Sequence, residues 1–149
     1  MAEKKMNKAV LPVLLDEGAV MPTRAHATDA GLDVYAPATM APITIQVDGS
    51  ATIDTGLHVA IPVGYVGLLK SKSGLNVRHG ITSEGVIDAG YTGSVRVKLY
   101  NMSDRLYTVR PGDKVSQLVI VPCITPAPML VEALDATERG DKGFGSSGR

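Results

Sequence analysis

The chain has 149 residues, about the length of one domain and enough to bury a hydrophobic core without disulfide or metal staples. Fifteen Lys and Arg residues balance fifteen Asp and Glu residues, so the net charge indicates neither a nucleic acid nor a membrane as a partner. The single cysteine, Cys123, excludes an internal disulfide, and the start MAEKKMNK is not typical of a signal or membrane segment, so we expect a soluble, cytoplasmic protein, or a nuclear one in a eukaryote.

Apolar residues recur at every second position along most of the chain, a pattern typical of half-buried β-strands. The clearest case is SVRVKLY (94–100), in which apolar and polar residues alternate without interruption. We predict strands in the segments 9–15, 31–36, 42–47, 56–62, 65–70, 94–100, 115–121 and 128–133.

Turn sequences separate these strands, and only SGLNVRHG (73–80) has room for a short helix, with Ser73 as a candidate N-cap. Many short strands with almost no helix predict an all-β fold, an antiparallel sandwich or barrel of jelly-roll type. The chain contains one Phe, five Tyr and no Trp to thicken its core. Because exchange of strands between subunits is one remedy for a thin core with open sheet edges, we expect an oligomer.

Most familiar catalytic motifs are absent from the sequence, including HExxH, CxxC, GxSxG and a Walker loop. The three histidines, His26, His58 and His79, are scattered. We interpret them as surface or structural residues, and we expect no zinc site.

Two glycine-flanked clusters at strand ends combine charge with backbone amides. Asp33 follows Gly31 at the start of an alternating strand, which suits either a site carboxylate or ordinary turn chemistry. Lys72, Ser73 and the amide of Gly74 stand where the short helix begins. That grouping predicts an anion site, although a plain helix cap explains it equally well.

Two further clusters carry polar groups next to apolar strands. Asp88 follows an apolar pair and precedes a glycine turn, where a partly desolvated carboxylate can take a proton from water. Tyr91, three residues on, can offer its ring to a sugar, but a turn Asp and a packing Tyr would give the same pattern. Gln117 lies within an otherwise apolar strand, and a buried amide there needs a partner, for which a ligand is one candidate.

The C-terminal tail, RGDKGFGSSGR (139–149), contains the only phenylalanine of the chain. Its glycines spell GxGxxG, but a dinucleotide site needs a strand before that motif and a helix after it, and the sequence given stops at residue 149. The remaining alternatives are a disordered linker and an arm that orders on a ligand. In the second case Arg139 can grip phosphate and Phe144 can cover a flat ring. Together the five clusters suit a ligand with a base, a sugar and a phosphate chain.

Five segments, in order, resemble the five motifs of the trimeric deoxyuridine triphosphate pyrophosphatases (dUTPases). They are AGLDVYA, SKSG, GVIDAGYTG, RPGDKVSQL and RGDKGFGSSG, and the resemblance spans residues 24–148. It implies a homotrimer of distorted jelly rolls with an exchanged strand, built from a β domain (1–138) and a flexible lid arm (139–149). The arm of one subunit would close on the active site of another.

The resemblance also implies a reaction, the hydrolysis of dUTP to dUMP and pyrophosphate with Mg²⁺. Asp88 would activate the attacking water, and Asp33 would hold the hydrated metal, whose main ligand is the triphosphate. The reaction would keep uracil out of DNA and supply dUMP for dTMP synthesis.

Substrate-binding roles follow from motif position. Lys72, Ser73, Gly74 and Gln117 would contact phosphates, with Arg96 also at the substrate, while Tyr91 would pack on the deoxyribose and exclude a 2′-hydroxyl. Gly85, Val86 and Ile87 would read uracil from the hairpin. Arg139, Gly145 and Ser146 would close on the γ-phosphate, and Phe144 would stack on the base.

Three lysines depart from the family pattern. Lys72 and Lys114 stand where arginine is usual, and Lys142 takes a usual glycine position. Lysine keeps the positive charge but lacks the planar fork of arginine. We therefore expect altered affinity with activity retained.

Two other functions remain as alternatives. The related dCTP deaminases share the fold, but that resemblance requires a glutamate ten residues after Asp88, where this chain has Lys98. A non-catalytic trimeric jelly roll, acting as a binding or regulatory module, would need neither Asp88 nor an intact tail.

Overall fold

A computed structural model describes residues 10–145 and residue 148 of the chain. In chain order its elements are β1 (Val13–Leu15), β2 (Gly31–Tyr35), β3 (Ile43–Ile45), β4 (Ser50–Asp54), β5 (Leu57–Val59), β6 (Tyr65–Lys70), α1 (Ser73–His79), β7 (Ile81–Ile87), β8 (Arg96–Asn101), β9 (Tyr107–Val109) and β10 (Lys114–Pro122). The predicted all-β class is confirmed. The described residues contain no helix long and apolar enough to cross a membrane.

The sheet is antiparallel and curled. Strand β10 lies between β2 and β6. Six strands run in the order β2-β10-β6-β7-β8-β4, and β1–β5 and β3–β9 form separate two-stranded ladders. This non-sequential order agrees with the predicted distorted jelly roll.

The strand pattern follows the alternation of the sequence. In β8 the side chains of Val97 and Leu99 are buried, whereas Arg96 and Lys98 face outward. Sequence analysis missed β4, β7 and β9. Strands β4 and β7 carry Ser, Thr, Asp, Glu or Gly at many positions, and β9 has only three residues. None of the three therefore shows a clear alternation of apolar and polar residues.

The core is aliphatic and contains no fully buried aromatic side chain among the described residues. Its members share near-zero exposure and come from both halves of the sheet: Val34, Ala36, Ile45, Ile53, Leu57, Val59, Ile61, Leu69, Ile81, Ile87, Val95, Val97, Leu99, Val109, Val115 and Leu118. Aliphatic side chains of this size fill the narrow space inside a small barrel.

The short helix forms where it was predicted, but Ser73 is its first residue and does not cap it. Lys72 occupies the N-cap position in an extended conformation and, within the described residues, makes no side-chain capping hydrogen bond. The helix ends at Gly80, which adopts the left-handed conformation that L-residues with side chains disfavour.

The predicted strand at 128–133 is wrong for the single chain. After β10, residues 123–138 form no strand or helix, and we call this segment the C-terminal arm. Its apolar side chains are exposed: Ile124 by 85%, Met129 by 81%, Leu130 by 100% and Leu134 by 88%. A strand needs a partner for its backbone groups, and none of the described strands pairs with the arm.

The centre of β10 should carry much of the stability. Leu118 is fully buried between β2 and β6, so Leu118→Ala should lower the free energy of unfolding by about 2–5 kcal/mol. Val77→Ala, at a side chain that is 82% exposed on α1, should change it by less than about 0.5 kcal/mol. Urea unfolding at one protein concentration measures both, and equal losses would contradict this placement of the core.

Candidate functional site

Eight of the predicted site residues line two separate pockets, whereas Ser73, Gly74, Gly85 and the tail residues Arg139, Phe144 and Gly145 line neither. The Asp33 pocket has a volume of about 330 Å³ and is lined by Ala25, Asp29, Ala30, Gly31, Asp33, Lys70, Lys72, Gln117 and Val119. The Asp88 pocket has a volume of about 210 Å³ and is lined by Val86, Ile87, Asp88, Tyr91, Ser94 and Arg96. The two pockets share no residue.

Strand β10 assembles the Asp33 pocket by pairing on both sides. Gln117 lies opposite Asp33 of β2 and opposite Lys70 of β6. Residues directly opposite on adjacent antiparallel strands place their side chains close together on one face. The first, second and fourth motif segments therefore meet at this pocket, as their sequence spacing alone could not show.

Asp33 is a buried carboxylate held by two lysines. Lys72 donates to its Oδ1, and Lys114 donates to its Oδ2 with an Nζ–Oδ2 distance of 3.0 Å. Burial alone would raise the pKa of Asp33, but the hydrogen bonds and charges of Lys72 and Lys114 outweigh it and keep the pKa below its ordinary value. The same contact raises the pKa of Lys114. Asp33 therefore stays ionised and fixes the positions of both ammonium groups.

Gly31 makes room for the side chain of Gln117. A Cβ at position 31 would lie 2.2 Å from Gln117 Oε1, so a residue with a side chain would displace this amide. The Gln117 Nε2 group donates to the carbonyl of Ser71 at 2.9 Å. Gly31 thus has a packing role, and the Gln117 amide in the apolar strand has a partner from the chain itself.

Hydrogen bonds among Ser71, Ser83 and Ser116 fix the chain just before Lys72. Ser71 Oγ accepts from the amide of Ser83 at 3.0 Å, and the hydroxyls of Ser83 and Ser116 are 2.9 Å apart. Ser116 also donates to the carbonyl of Lys70 at 2.9 Å. With Ser71 held in this way, Lys72 is positioned at the pocket, while Ser73 and Gly74 begin α1 and remain exposed.

The Asp88 pocket is built on the turn after β7. We call residues 88–94 the Tyr91 turn. The amide of Tyr91 donates to the carbonyl of Asp88 at 3.0 Å, and the Tyr91 hydroxyl donates to the carbonyl of Ser94 at 2.8 Å. Asp88 itself is exposed, so the expected partial desolvation of its carboxylate does not occur within one chain.

Gly93 allows the Tyr91 ring to lie across its own turn. A Cβ at position 93 would lie 2.6 Å from the Tyr91 hydroxyl oxygen and 2.7 Å from Cζ. Only glycine leaves that space free. The ring is 44% exposed and faces the pocket together with Val86 and Arg96, and Arg96 lies 3.7 Å from Asp54.

The last residues of β7 form one wall of the Asp88 pocket. Val86 is exposed and Ile87 is buried, as the alternation of a strand requires. Gly85 lies opposite Leu69 of β6, and a Cβ there would come within 3.1 Å of Leu69 Cδ1. The backbone of residues 85–87 is thus held tightly against β6.

The two pockets lie at opposite ends of the β6–β7 pair. Lys72 follows the end of β6, whereas Asp88 follows Ile87, whose partner Gly67 lies near the start of β6. At about 3.3 Å per extended residue, the backbones of Asp88 and Lys72 are roughly 15–20 Å apart along the strand. Adjacent phosphate groups of one ligand lie much closer together than that.

The tail makes only local contacts in its described part. Arg139 Nε donates to the carbonyl of Lys142 at 2.8 Å, and the Lys142 amide donates back to the Arg139 carbonyl at 3.1 Å. Phe144 is fully exposed, and Gly145 adopts a positive φ. The side chain at 142 is compatible with this turn. Ser146 lies outside the described residues.

The donor set limits how a metal could be held. In residues 10–145 and 148, no group of three or more His, Cys, Asp or Glu side chains is arranged to hold an ion. The Asp33 carboxylate borders its pocket, and its remaining lone pairs can accept hydrogen bonds from metal-bound water. These residues therefore fit a hydrated Mg²⁺ whose other ligands come from a substrate.

Sequence analysis did not predict several contacts that support the two pockets. Lys114 was noted only as a departure from a motif, yet it is one of the two partners of Asp33. His58, Asp54 and Ser94 support the Tyr91 turn. Their contacts join residues 34 to 40 positions apart, so only the register of the strands could have revealed them.

Comparisons with known proteins agree on one family. The sequence model of the dUTPase family matches residues 17–148. The probable deoxyuridine 5′-triphosphate nucleotidohydrolase of Schizosaccharomyces pombe is 43% identical over 135 residues, covering 90% of this chain and 94% of that protein.

Solved structures show the same similarity in three dimensions. A mutant dUTPase of Staphylococcus bacteriophage 80alpha with dUpNHpp has a TM-score of 0.85 and 35% identity, covering 94% of this chain and 99% of that chain. A mutant dUTPase from phage phi11 of S. aureus, described with a structural Mg(II) ion, has a TM-score of 0.75 and 35% identity, covering 84% and 98%.

The two lysines should make Asp33 important for stability as well as for the pocket. Asp33→Asn removes the charge that both ammonium groups face, so we expect a loss of about 1.5–3 kcal/mol in the free energy of unfolding. Glu84→Gln, in the exposed pair with Lys70, should cost less than about 1 kcal/mol. Urea unfolding at pH 7 compares them, and a larger loss for Glu84→Gln would contradict the description of this ion pair.

Proposed function

The chain belongs to the dUTPase family, and we infer that it hydrolyses dUTP to dUMP and pyrophosphate. The observation that carries this inference is the Asp88 pocket, where a carboxylate stands directly beside a tyrosine ring and a strand end. A pocket of this kind can hold a nucleoside while its carboxylate acts on the first phosphate. The reaction would keep uracil out of DNA and supply dUMP for dTMP synthesis.

In the proposed reaction Asp88 is the general base. It takes a proton from a water molecule as the water oxygen attacks the α-phosphorus. The bond between the α-phosphorus and the bridging oxygen breaks, and that oxygen leaves with the bonding electrons as part of pyrophosphate. Exposure of Asp88 in one chain gives the water access to the carboxylate, and desolvation would come when the site closes.

Selection of the nucleoside would use the strand end and the turn. The backbone of Gly85, Val86 and Ile87 would bind the uracil edge, because it is held rigidly against β6. Tyr91 would pack on the deoxyribose and leave no space for a 2′-hydroxyl. Arg96, at the far wall, would add positive charge near the substrate.

The triphosphate would bind to the Asp33 pocket of a neighbouring copy. Lys72, Ser73 and the Gly74 amide would bind its oxygens, with Gln117 near the α-phosphate. Lysines at 72 and 114 act as point charges, and their pairing with Asp33 supports a fixed arrangement before the substrate arrives.

Asp33 would also position the hydrated metal. When bound to the triphosphate, Mg²⁺ neutralises charge that builds up on the phosphate oxygens. Asp33 suits an outer contact through water because its two oxygens already accept from lysines. The protein's part is to orient these waters.

We propose that residues 1–138 form the β domain and that residues 139–149 form a lid. Arg139, Gly145 and Ser146 would close on the γ-phosphate and Phe144 on the base. The absence of packing around Phe144 within the described chain supports this role, since an exposed phenylalanine gains its contacts only when the lid closes.

A homotrimer would complete the site. Within a chain the backbones of Asp88 and Lys72 lie roughly 15–20 Å apart along the strand, and the C-terminal arm exposes apolar side chains that need a partner. Exchange of the arm between copies would bury these side chains and carry each lid to another subunit. The intracellular substrate makes the cytoplasm the expected compartment.

The general base gives the first test. Asp88→Asn should lower kcat for dUTP by about 100-fold to 10,000-fold while leaving the fold intact, because the side chain is exposed. Asp104→Asn, at a side chain that is 95% exposed, should keep wild-type turnover. Pyrophosphate release with Mg²⁺, run beside UTP, dTTP and dCTP, measures the effect. Full activity in Asp88→Asn would favour a non-catalytic module or another base.

The lid gives the second test. A chain ending at Glu138 should lose at least about tenfold in kcat, because the closed site excludes bulk water. Phe144→Ala should lose part of the same activity, and Lys142→Gly should retain it, since only the backbone of Lys142 takes part in the turn. Unchanged turnover in the truncated chain would show that the tail has no part in the reaction.

A further inference from the structure

One histidine ties the Tyr91 turn to the opposite ladder. His58 lies in β5, opposite Leu14 of β1. Its Nδ1 is 2.8 Å from the carbonyl oxygen of Thr92, and its Nε2 is 3.0 Å from Asp16 Oδ2. The imidazole is only 20% exposed. A single side chain thus connects the middle of the Tyr91 turn to a carboxylate after β1.

Both contacts require the charged form of the ring. A carbonyl oxygen and an ionised carboxylate can only accept hydrogen bonds, so each ring nitrogen must carry a proton. The other charged groups facing this region in the described chain are Asp54, at the end of β4, and Arg96, which lies 3.7 Å from Asp54. The hydrogen bond to Thr92, followed by that to Asp16, raises the pKa of His58 above its ordinary value.

Residues 93 and 94 of the Tyr91 turn are held by contacts with Asp54, Gly56 and Tyr91. Ser94 Oγ donates to Asp54 and accepts from the Gly56 amide at 3.0 Å. The Tyr91 hydroxyl donates to the Ser94 carbonyl, and the ring lies across Gly93. Among the described residues, His58 is the one side chain that hydrogen-bonds to the carbonyl of Thr92, which lies between Tyr91 and Gly93.

We propose that protonated His58 is a positioning residue that sets the discrimination between deoxyribose and ribose. It fixes Thr92, and through Thr92 it fixes the plane of the Tyr91 ring against which the sugar packs. The proposal rests on the proposed function, because Tyr91 is the residue assigned to the sugar. His58 does not line the Asp88 pocket, so its proposed effect is indirect.

The proposal has a definite pH dependence. Below the raised pKa of His58, both hydrogen bonds form and the turn is fixed. As the pH rises through that value, the neutral ring keeps only one proton, and it can no longer donate to both Thr92 and Asp16. Discrimination should therefore be highest at low pH and fall as the pH rises. Titration of the phosphates affects dUTP and UTP alike and cancels in the ratio of their kcat/KM values.

A matched pair of substitutions separates the two hydrogen bonds. The amide nitrogen of His58→Asn takes nearly the place of Nδ1 and can still donate to Thr92, whereas that of His58→Gln takes the place of Nε2 and can donate only to Asp16. We expect His58→Asn to keep the wild-type preference for dUTP over UTP and to lose its pH dependence. We expect His58→Gln to lower that preference by about tenfold at every pH, mainly through a higher KM for dUTP.

A second measurement does not depend on turnover. In NMR titrations the amide shift of Gly93, which follows the Thr92 carbonyl, should move with the pKa of His58. Asp16→Asn should lower that pKa, and with it the pH at which discrimination falls.

Two kinetic results would overturn the proposal: wild-type discrimination in His58→Gln, or a loss of discrimination in His58→Asn as large as that in His58→Gln. Two further results would also overturn it: a Gly93 amide shift that does not follow the titration of His58, or an Asp16→Asn variant in which discrimination falls at the same pH as in the wild type. The last two decide the matter if His58→Gln does not fold. A wild-type protein that releases no pyrophosphate from dUTP would instead contradict the proposed function. The Gly93 titration would still show whether His58 hydrogen-bonds to Thr92.

Discussion

The double pairing of strand β10 is the constraint on which the rest of the structure depends. Its residues bond to β2 on one side and β6 on the other, and that register sets Gln117 opposite both Asp33 and Lys70. A bulge between Lys114 and Ser116 interrupts the alternation, and Lys114 then reaches Asp33. Two lysines and one buried carboxylate are thereby brought together from three distant segments, which leaves one positive charge in excess.

The same sheet keeps the second pocket away from the first. Because β6 and β7 run antiparallel, the chain that leaves β6 at Lys72 and the chain that leaves β7 at Asp88 depart from opposite ends. In the proposed reaction each pocket would supply half of the chemistry, with a carboxylate beside a tyrosine ring in one and fixed positive charge in the other. The exposed C-terminal arm has the composition of an interface and pairs with nothing in the described chain. Assembly of several copies of the chain is the simplest physical way to bring an Asp88 pocket and an Asp33 pocket together.

Sequence reasoning went furthest where the signal was local. The alternation in 94–100 predicted both β8 and its buried face, and the motif spacing identified Asp33, Asp88 and Gln117 as candidates. It failed where the answer depended on a distant partner. The segment 128–133 has the apolar residues of a strand, but none of the described strands of its own chain pairs with it. The contact of Lys114 with Asp33 depends on a bulge, and the hydrogen bond of His58 to Thr92 depends on strand register. No local sequence pattern encodes either.

The central claim, that one site takes its base and its phosphate-binding lysine from different copies, can be tested by mixing two inactive variants. Asp88→Asn and Lys72→Met chains are unfolded together, refolded in equal amounts and assayed for pyrophosphate release from dUTP. If the halves come from different subunits, random mixing should restore about a quarter of the sites, because each site then needs one intact group from each variant. If the whole site lies within one chain, every site keeps one defect, and the mixture will be no more active than the two variants measured separately.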